Sequence, residues 1–99
     1  MFVIVAIYRA RDNDEDAIIA LHEDKIQRRD FDPRCYHSWQ LFRKSDEPQA
    51  FISIAQFADE QLMVDATKDL EKDGWYNRLV SLMEGTPING SYKVVWSLN

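Results

Sequence analysis

The sequence is poor in the residues and motifs on which several kinds of site depend. Its 99 residues include one cysteine, Cys35, which excludes an internal disulfide, so the fold does not require an oxidising compartment. It has no glycine-rich phosphate loop, no CxxC pair and no nucleophile elbow. We therefore expect no nucleotide-binding loop and no redox-active dithiol. Cys35, at a predicted strand start, is expected to be a small buried residue.

Basic side chains are also scarce relative to acidic ones. Lys and Arg total 12 against 17 for Asp and Glu, and the formal net charge at pH 7 is −5. A protein that binds duplex nucleic acid or an anionic membrane presents a basic face. The first apolar run is short, has no basic residues before it and leads directly into charge, unlike a signal peptide or a membrane span. We predict no nucleic-acid partner, no membrane partner and a cytoplasmic location.

The residues that are present divide the chain into alternating strands and helices. A helix follows the acidic stretch 12–16, with Asn13 or Asp14 as its N-cap, and runs to about Arg29. A second helical region begins with Asp59 as N-cap and is interrupted at Gly74. β-branched and aromatic residues predict four strands: Phe2–Arg9, Cys35–Arg43, Phe51–Phe57 and about Ser91–Leu98.

The order β-α-β-β-α-β is that of the split βαβ, ferredoxin-like arrangement. We therefore predict an α+β fold with an antiparallel four-stranded sheet, formed by residues 1–99 as one domain. In the first strand both alternating sets of side chains are apolar, and the third strand repeats this pattern. Two helices cover one face of the sheet, so the other face would leave a large apolar patch in water. We predict that a second copy covers it, giving a homodimer through the sheet face.

The same stretches resemble the antibiotic biosynthesis monooxygenase family. The resemblance lies in the opening VIVAIYRA, in the hairpin from Cys35 to Phe57 with its SDEP turn, in the following ADEQL, and in the closing helix, GTP and last strand. It implies a dimeric α+β barrel with a cavity between sheet and helices that holds small aromatic or polycyclic molecules. Some members oxidise quinol-like or polyketide substrates with dioxygen and without metal or flavin, whereas others bind and degrade heme.

The departures from the family pattern argue against heme chemistry. Heme-degrading members carry an iron-ligating histidine in the helical region before the last strand, and residues 59–84 contain no histidine. Those members also have an asparagine in the first strand, where this chain is apolar around Ile7, and many relatives end the third strand in tryptophan, where this chain has Phe57. We therefore predict no cofactor.

His37 is the candidate catalytic residue. It lies among aromatic residues of the second predicted strand, on the same side as Trp39. A histidine there could act as a general base toward a phenolic or enolic proton, because its ordinary pKa is near neutral pH. The alternative is a histidine held by a backbone or dimer hydrogen bond, which is the commoner situation.

Four aromatic residues are candidates for substrate binding. Trp39, Trp75 and Tyr76 could line a cavity and stack on a planar substrate, and the helix break before Trp75 is where a cavity can open. Tyr8 could orient a substrate oxygen. The alternative for Trp39, Trp75 and Tyr76 is a packing role in the core, and for Tyr8 it is an ordinary hydrogen bond of its hydroxyl within the protein.

His22 lies one turn after Ile18, a position compatible with an inward orientation, but no further ligands accompany it at workable spacing, so we predict no metal site.

These observations lead to two hypotheses of different kinds. The first is a cofactor-independent monooxygenase that acts on a small aromatic, quinol-like or polyketide-like molecule. The second is a non-enzymatic module that holds a small apolar ligand. Heme binding is a third and less favoured alternative.

Overall fold

A computed structural model describes residues 1–12, 14–29, 31–72 and 74–98. The described chain forms four strands, three α-helices and one short 3-10 helix. In chain order these are β1 (Phe2–Arg9), α1 (Glu15–Ile26), the 3-10 helix (Pro33–Cys35), β2 (Ser38–Arg43), β3 (Ala50–Phe57), α2 (Glu60–Lys72), α3 (Trp75–Ser81) and β4 (Ile88–Lys93).

The four strands form one antiparallel sheet in the order β2-β3-β1-β4. This order, with helices after the first and third strands, is that of the split βαβ fold, and the prediction of a ferredoxin-like α+β fold is confirmed. The central strands β1 and β3 pair along their whole length, from Phe2 opposite Phe57 to Arg9 opposite Ala50. They form the rigid base on which the helices pack.

The second helical region is organised as the sequence predicts. Asp59 caps α2, because its carboxylate accepts a hydrogen bond of 2.9 Å from the backbone N–H of Leu62. Gly74 separates α2 from α3 and has a φ of 76°, a left-handed conformation that glycine adopts without steric cost. The break therefore redirects the chain so that α3 packs against both α1 and α2.

The first helix is shorter than predicted and ends at Ile26 rather than near Arg29. Asp14 occupies its N-cap position, but the Asp14 side chain makes no capping hydrogen bond. The alternative N-cap, Asn13, lies outside the described residues.

The predicted bounds of two strands are wrong. β2 begins at Ser38 rather than Cys35, because Pro33 starts a 3-10 turn in which the Cys35 N–H donates to the Asp32 carbonyl. The last strand spans Ile88–Lys93 rather than Ser91–Leu98. Lys93 is already opposite Phe2, near the start of β1, so residues 94–98 have almost no strand left to pair with beyond one bond from Val94 to Met1.

The sheet has two different faces. On the inner face, Tyr8, Phe51 and Phe57 are buried beneath the helices. On the outer face, which no helix covers, a row of large apolar side chains is exposed: Phe42, Ile52, Ile7 and Ile88. Side chains alternate between faces along a strand, so the inner set builds the core and leaves the outer set to solvent.

Candidate functional site

A cavity of about 280 Å³ lies between the inner face of the sheet and the three helices. Strands β1, β2 and β3 form its floor, and all three helices contribute to its roof. Most of its surface is apolar, and five of its lining residues are aromatic: Tyr36, Trp39, Phe57, Trp75 and Tyr76. A concave, largely apolar site with few polar groups is the usual form of a small-molecule pocket.

Trp39 is the centre of the aromatic cluster in this cavity. Its ring stacks on Tyr36 with centroids 5.2 Å apart and planes 8° apart, and it meets Trp75 edge-on at 5.7 Å. Its indole N–H donates to the hydroxyl of Ser53 on the neighbouring strand at 3.1 Å. These three contacts hold the indole in one orientation, so it offers a rigid wall against which a planar molecule can pack.

Trp75 forms a second fixed wall. Its side chain is 2% exposed, and its indole N–H donates to the backbone carbonyl of Leu21 on α1 at 2.9 Å. Trp75 is the first residue of α3, directly after the break at Gly74, so the break places the indole between α1 and the sheet. The indole therefore lines the cavity without filling it.

His22 contributes an ionisable group to the cavity wall. Its Nδ1 lies 2.8 Å from the backbone carbonyl oxygen of Ile18, one turn earlier on α1. Its ring contacts both indoles edge-on, at 5.2 Å from Trp39 and 5.0 Å from Trp75. Burial lowers the pKa of His22, because it disfavours the imidazolium, and the hydrogen bond to Ile18 offsets this only in part.

Tyr36 brings a buried hydroxyl to the same site. This hydroxyl has no hydrogen-bond partner among the described residues. Burial raises the pKa of Tyr36, and the negative charge of Asp69 raises it further. The phenol is therefore neutral and can donate a hydrogen bond.

A hydrogen bond joins α3 to β4 at the wall of the cavity. The amide of Asn89 on β4 donates a hydrogen bond of 2.7 Å to the hydroxyl of Tyr76 on α3. A shallower groove between α2 and β4 shares Ile4, Thr67 and Asn89 with the cavity. The Tyr76–Asn89 contact thus bridges two elements at the edge of the site.

Three of the residues predicted from the sequence come together here, and two do not. Trp39, Trp75 and Tyr76 line the cavity. His37 is exposed and does not line it, and its backbone N–H donates to the carbonyl of Gln56 at 2.7 Å. Tyr8 is buried in the core, stacked on Phe51 at 5.8 Å, and does not line the cavity either. The catalytic role of His37 and the binding role of Tyr8 stay predictions.

Two residues outside the predicted set of site residues, His22 and Tyr36, also line the cavity. His22 had a usable signal, since residues 18, 21 and 25 are buried on α1 and position 22 falls on the same face. Tyr36 had none, because strand alternation places it opposite Trp39. The 3-10 turn before β2 breaks that alternation, and both rings line the cavity.

Among residues 1–12, 14–29, 31–72 and 74–98, no three His, Cys, Asp or Glu side chains come together in a way that could hold a metal ion. No helix within the same ranges is both long enough and apolar enough to cross a membrane.

The sequence matches no protein-family model and no curated protein. Solved structures do resemble the fold. A variant of SnoaB, a cofactor-independent oxygenase from Streptomyces nogalater, superposes with a TM-score of 0.75 at 16% identity over 98% of this chain and 95% of that one. A structure named as an antibiotic biosynthesis monooxygenase gives a TM-score of 0.75 at 13% identity over 96% of this chain and 99% of that one.

Rv0793 from Mycobacterium tuberculosis is similar to the same degree. It gives a TM-score of 0.76 at 11% identity over 99% of this chain and 98% of that one. At such sequence identities the structural similarity shows a shared fold and does not show shared chemistry. The chain has the fold of the antibiotic biosynthesis monooxygenases.

Proposed function

We propose that the cavity binds a small planar aromatic molecule and that the protein is a cofactor-independent monooxygenase acting on it. The observation that carries the proposal is the aromatic cavity itself, about 280 Å³ in volume and walled by Trp39, Trp75 and Tyr36. The volume is near the lower end of small-molecule pockets, which suits a ligand of a few fused rings.

The arrangement of the rings favours a flat ligand. Tyr36 and Trp39 are nearly parallel, whereas Trp75 is turned by 66° from Trp39. A planar molecule can then stack on one ring and meet another with its edge, the two geometries that aromatic pairs prefer. The rings are held by hydrogen bonds to Ser53 and Leu21, so little ordering is needed on binding.

The oxygenase step is supported by the fold shared with SnoaB, which is named as a cofactor-independent oxygenase. A quinol-like or anthrone-like substrate that loses a proton becomes electron-rich enough to pass an electron to dioxygen. For an anthrone-type methylene, one dioxygen then converts the CH₂ group to a carbonyl and releases one water. The protein would supply a dry, shaped site and a proton acceptor.

Oxygen uptake by the pure protein tests this step. We expect uptake above the uncatalysed rate with at least one compound of a panel of hydroquinones and anthrones, and a lower rate when Trp39→Leu removes the stacking wall. His37→Ala belongs in the same series: a loss of kcat without a change in KM would support a catalytic role for His37. Uptake equal to the protein-free rate for every compound would overturn the oxygenase proposal.

A second candidate function is a non-enzymatic module that holds an apolar ligand. It is favoured by the small number of ionisable groups that line the cavity, namely His22, Tyr36, Glu71 and Tyr76. Mass spectrometry of the native protein before and after exposure to dioxygen separates the two. A ligand that is retained unchanged supports the binding module, and an oxidised product supports the enzyme.

We also propose that the protein is a homodimer through the outer face of the sheet. The pairing register places Phe42 opposite Ile52, Ile52 opposite Ile7, and Ile7 opposite Ile88. These four residues form an unbroken apolar row across all four strands, and they are 44%, 40%, 47% and 69% exposed in that order. A single subunit would leave this row in water, whereas a second copy can cover it with the same surface.

Sedimentation velocity at micromolar concentration tests the dimer. We expect a dimer for the wild type and a monomer for Ile52→Lys, because the substitution buries a charge at the centre of the proposed interface. Ala20→Lys adds the same charge at an exposed position of α1 and should leave the dimer intact. A monomeric wild type would overturn the proposal.

A further inference from the structure

The second ring nitrogen of His22, Nε2, is a polar group in the cavity wall that the proposed function leaves without a role. The first nitrogen, Nδ1, lies 2.8 Å from the carbonyl oxygen of Ile18. A carbonyl oxygen can only accept a hydrogen bond, so Nδ1 must carry the hydrogen. In the neutral ring Nε2 then has no hydrogen and presents a lone pair.

The surroundings hold the ring of His22 in place. One edge of the ring is bound to the backbone of α1, and the two indoles of Trp39 and Trp75 pack against the ring at 5.2 Å and 5.0 Å. No residue of the described chain forms a hydrogen bond with Nε2, while the side chain lines the cavity. A ligand in the cavity is thus the available donor.

The neutral form of His22 is also the favoured one. Burial lowers its pKa, so the ring is mostly uncharged at neutral pH. The cavity wall also contains one carboxylate, that of Glu71, but this residue is exposed to solvent. The hydroxyl oxygen of Ser53 already accepts the indole N–H of Trp39. The lone pair of His22 is therefore an open acceptor for the hydroxyl of a ligand in the cavity.

We propose that Nε2 of His22 accepts a hydrogen bond from an aromatic hydroxyl and thereby makes the cavity selective for phenol-like and hydroquinone-like ligands over aromatic molecules without such a donor. This rests on the proposed binding of aromatic molecules in the cavity. The selectivity arises because a ligand without a donor would cover the lone pair and leave it unsatisfied, at a cost that a hydroxylated ligand avoids.

Equilibrium dialysis with 2-naphthol and 2-fluoronaphthalene tests the proposal, since fluorine is close to a hydroxyl in size but cannot donate. We expect the wild type to bind 2-naphthol about tenfold more tightly. In His22→Asn the side-chain amide can still donate to the Ile18 carbonyl, but the lone pair of Nε2 is gone, so the ratio should approach one. Glu23→Gln, at an exposed position next to His22, should keep the wild-type ratio.

His22→Phe provides a second variant that keeps the ring volume if His22→Asn does not fold, and its ratio should also approach one. Equal binding of both compounds to the wild type overturns the role of His22 alone, as does an unchanged preference in the two variants. Binding of neither compound to the wild type overturns the proposed aromatic site and the role of His22 together.

Discussion

The indole nitrogen of Trp75 donates a hydrogen bond of 2.9 Å to the backbone carbonyl oxygen of Leu21. This bond joins the first residue of α3 to the middle of α1, two positions that are 54 residues apart in the chain. It ties α3 to α1, two of the helices that cover the cavity.

Trp75→Phe should therefore destabilise the fold. The variant loses this hydrogen bond and one ring of a fully packed side chain, and we expect the free energy of unfolding to fall by about 2 kcal/mol. Urea denaturation followed by circular dichroism measures the change. Trp96→Phe alters an indole that is 78% exposed and should shift stability by less than about 0.5 kcal/mol. Equal effects of the two substitutions would contradict the proposed role of the Trp75–Leu21 bond.

Lys25 and Asp69 should respond unequally to substitution. The ammonium of Lys25 lies 2.8 Å from the carboxylate of Asp69, but the lysine side chain is 1% exposed and the aspartate side chain 38%. Asp69→Asn removes a negative charge next to a buried cation, and we expect it to cost about 3 kcal/mol. Lys25→Met keeps the aliphatic stem and leaves a carboxylate that water can reach, so it should cost less.

Thermal or urea unfolding of both variants at neutral pH measures which substitution lowers the free energy of unfolding more. A larger loss for Lys25→Met than for Asp69→Asn would show that the packing and hydrogen bonds of the lysine head, rather than its charge, dominate the pair.

Removal of two buried hydroxyls should not weaken the fold. The hydroxyls of Tyr8 and Tyr36 are buried without a hydrogen-bond partner among the described residues, and burial raises the pKa of both. Tyr8→Phe and Tyr36→Phe should each leave the free energy of unfolding unchanged or raise it by up to about 1 kcal/mol. Only Tyr36→Phe should alter ligand affinity, since Tyr36 lines the cavity and Tyr8 does not. A loss of more than about 1 kcal/mol would reveal a partner for the hydroxyl in solution.

The stability of the fold should decline in mildly acidic solution because of His22. Its pKa in the folded chain is lowered from the ordinary 6.5 by burial, so the unfolded chain takes up a proton more readily than the folded one. The contribution of His22 is therefore fully present above pH 6.5 and is lost as the pH falls through 6.5 toward the folded pKa. Urea denaturation at about pH 7.5 and about pH 5.5 measures it.

His22→Asn is the control for this pH dependence. The fall in the free energy of unfolding between the two pH values should be smaller in the variant, because the group that titrates differently in the two states has been removed. Parallel pH profiles for the wild type and the variant would show that other groups account for the decline.

The sequence predicts the centre of the sheet better than its edges. β1 is predicted to the residue and β3 to within one, because both are dense in β-branched and aromatic side chains and pair on both sides. The end of β4 could not be predicted in this way. Residues 94–98 continue an alternating apolar pattern, but a strand needs a partner. Phe2, the first residue of β1, is opposite Lys93, so β1 offers no residues with which a longer β4 could pair.

Some residues of the candidate site could be predicted from the sequence, and others could not. Trp75 and Tyr76 could be placed from the helix break at Gly74, which is a local signal. His37 and Tyr36 could not be placed correctly relative to the cavity, because both lie between the turn at Pro33 and the start of β2 at Ser38, where strand alternation does not apply. The turn itself is held by a hydrogen bond from the backbone N–H of Arg34 to the Asp32 carboxylate, a local contact that strand periodicity does not reveal.

The cavity and the proposed dimer interface lie on opposite faces of the sheet. The cavity lies on the inner face, beneath the helices, and in the proposed dimer a second subunit would approach the outer face through the row from Phe42 to Ile88. In such a dimer the two cavities point away from the two-fold axis, and neither subunit adds a wall to its neighbour's cavity through this row. Each site should then fill independently, with hyperbolic saturation and a Hill coefficient of about one.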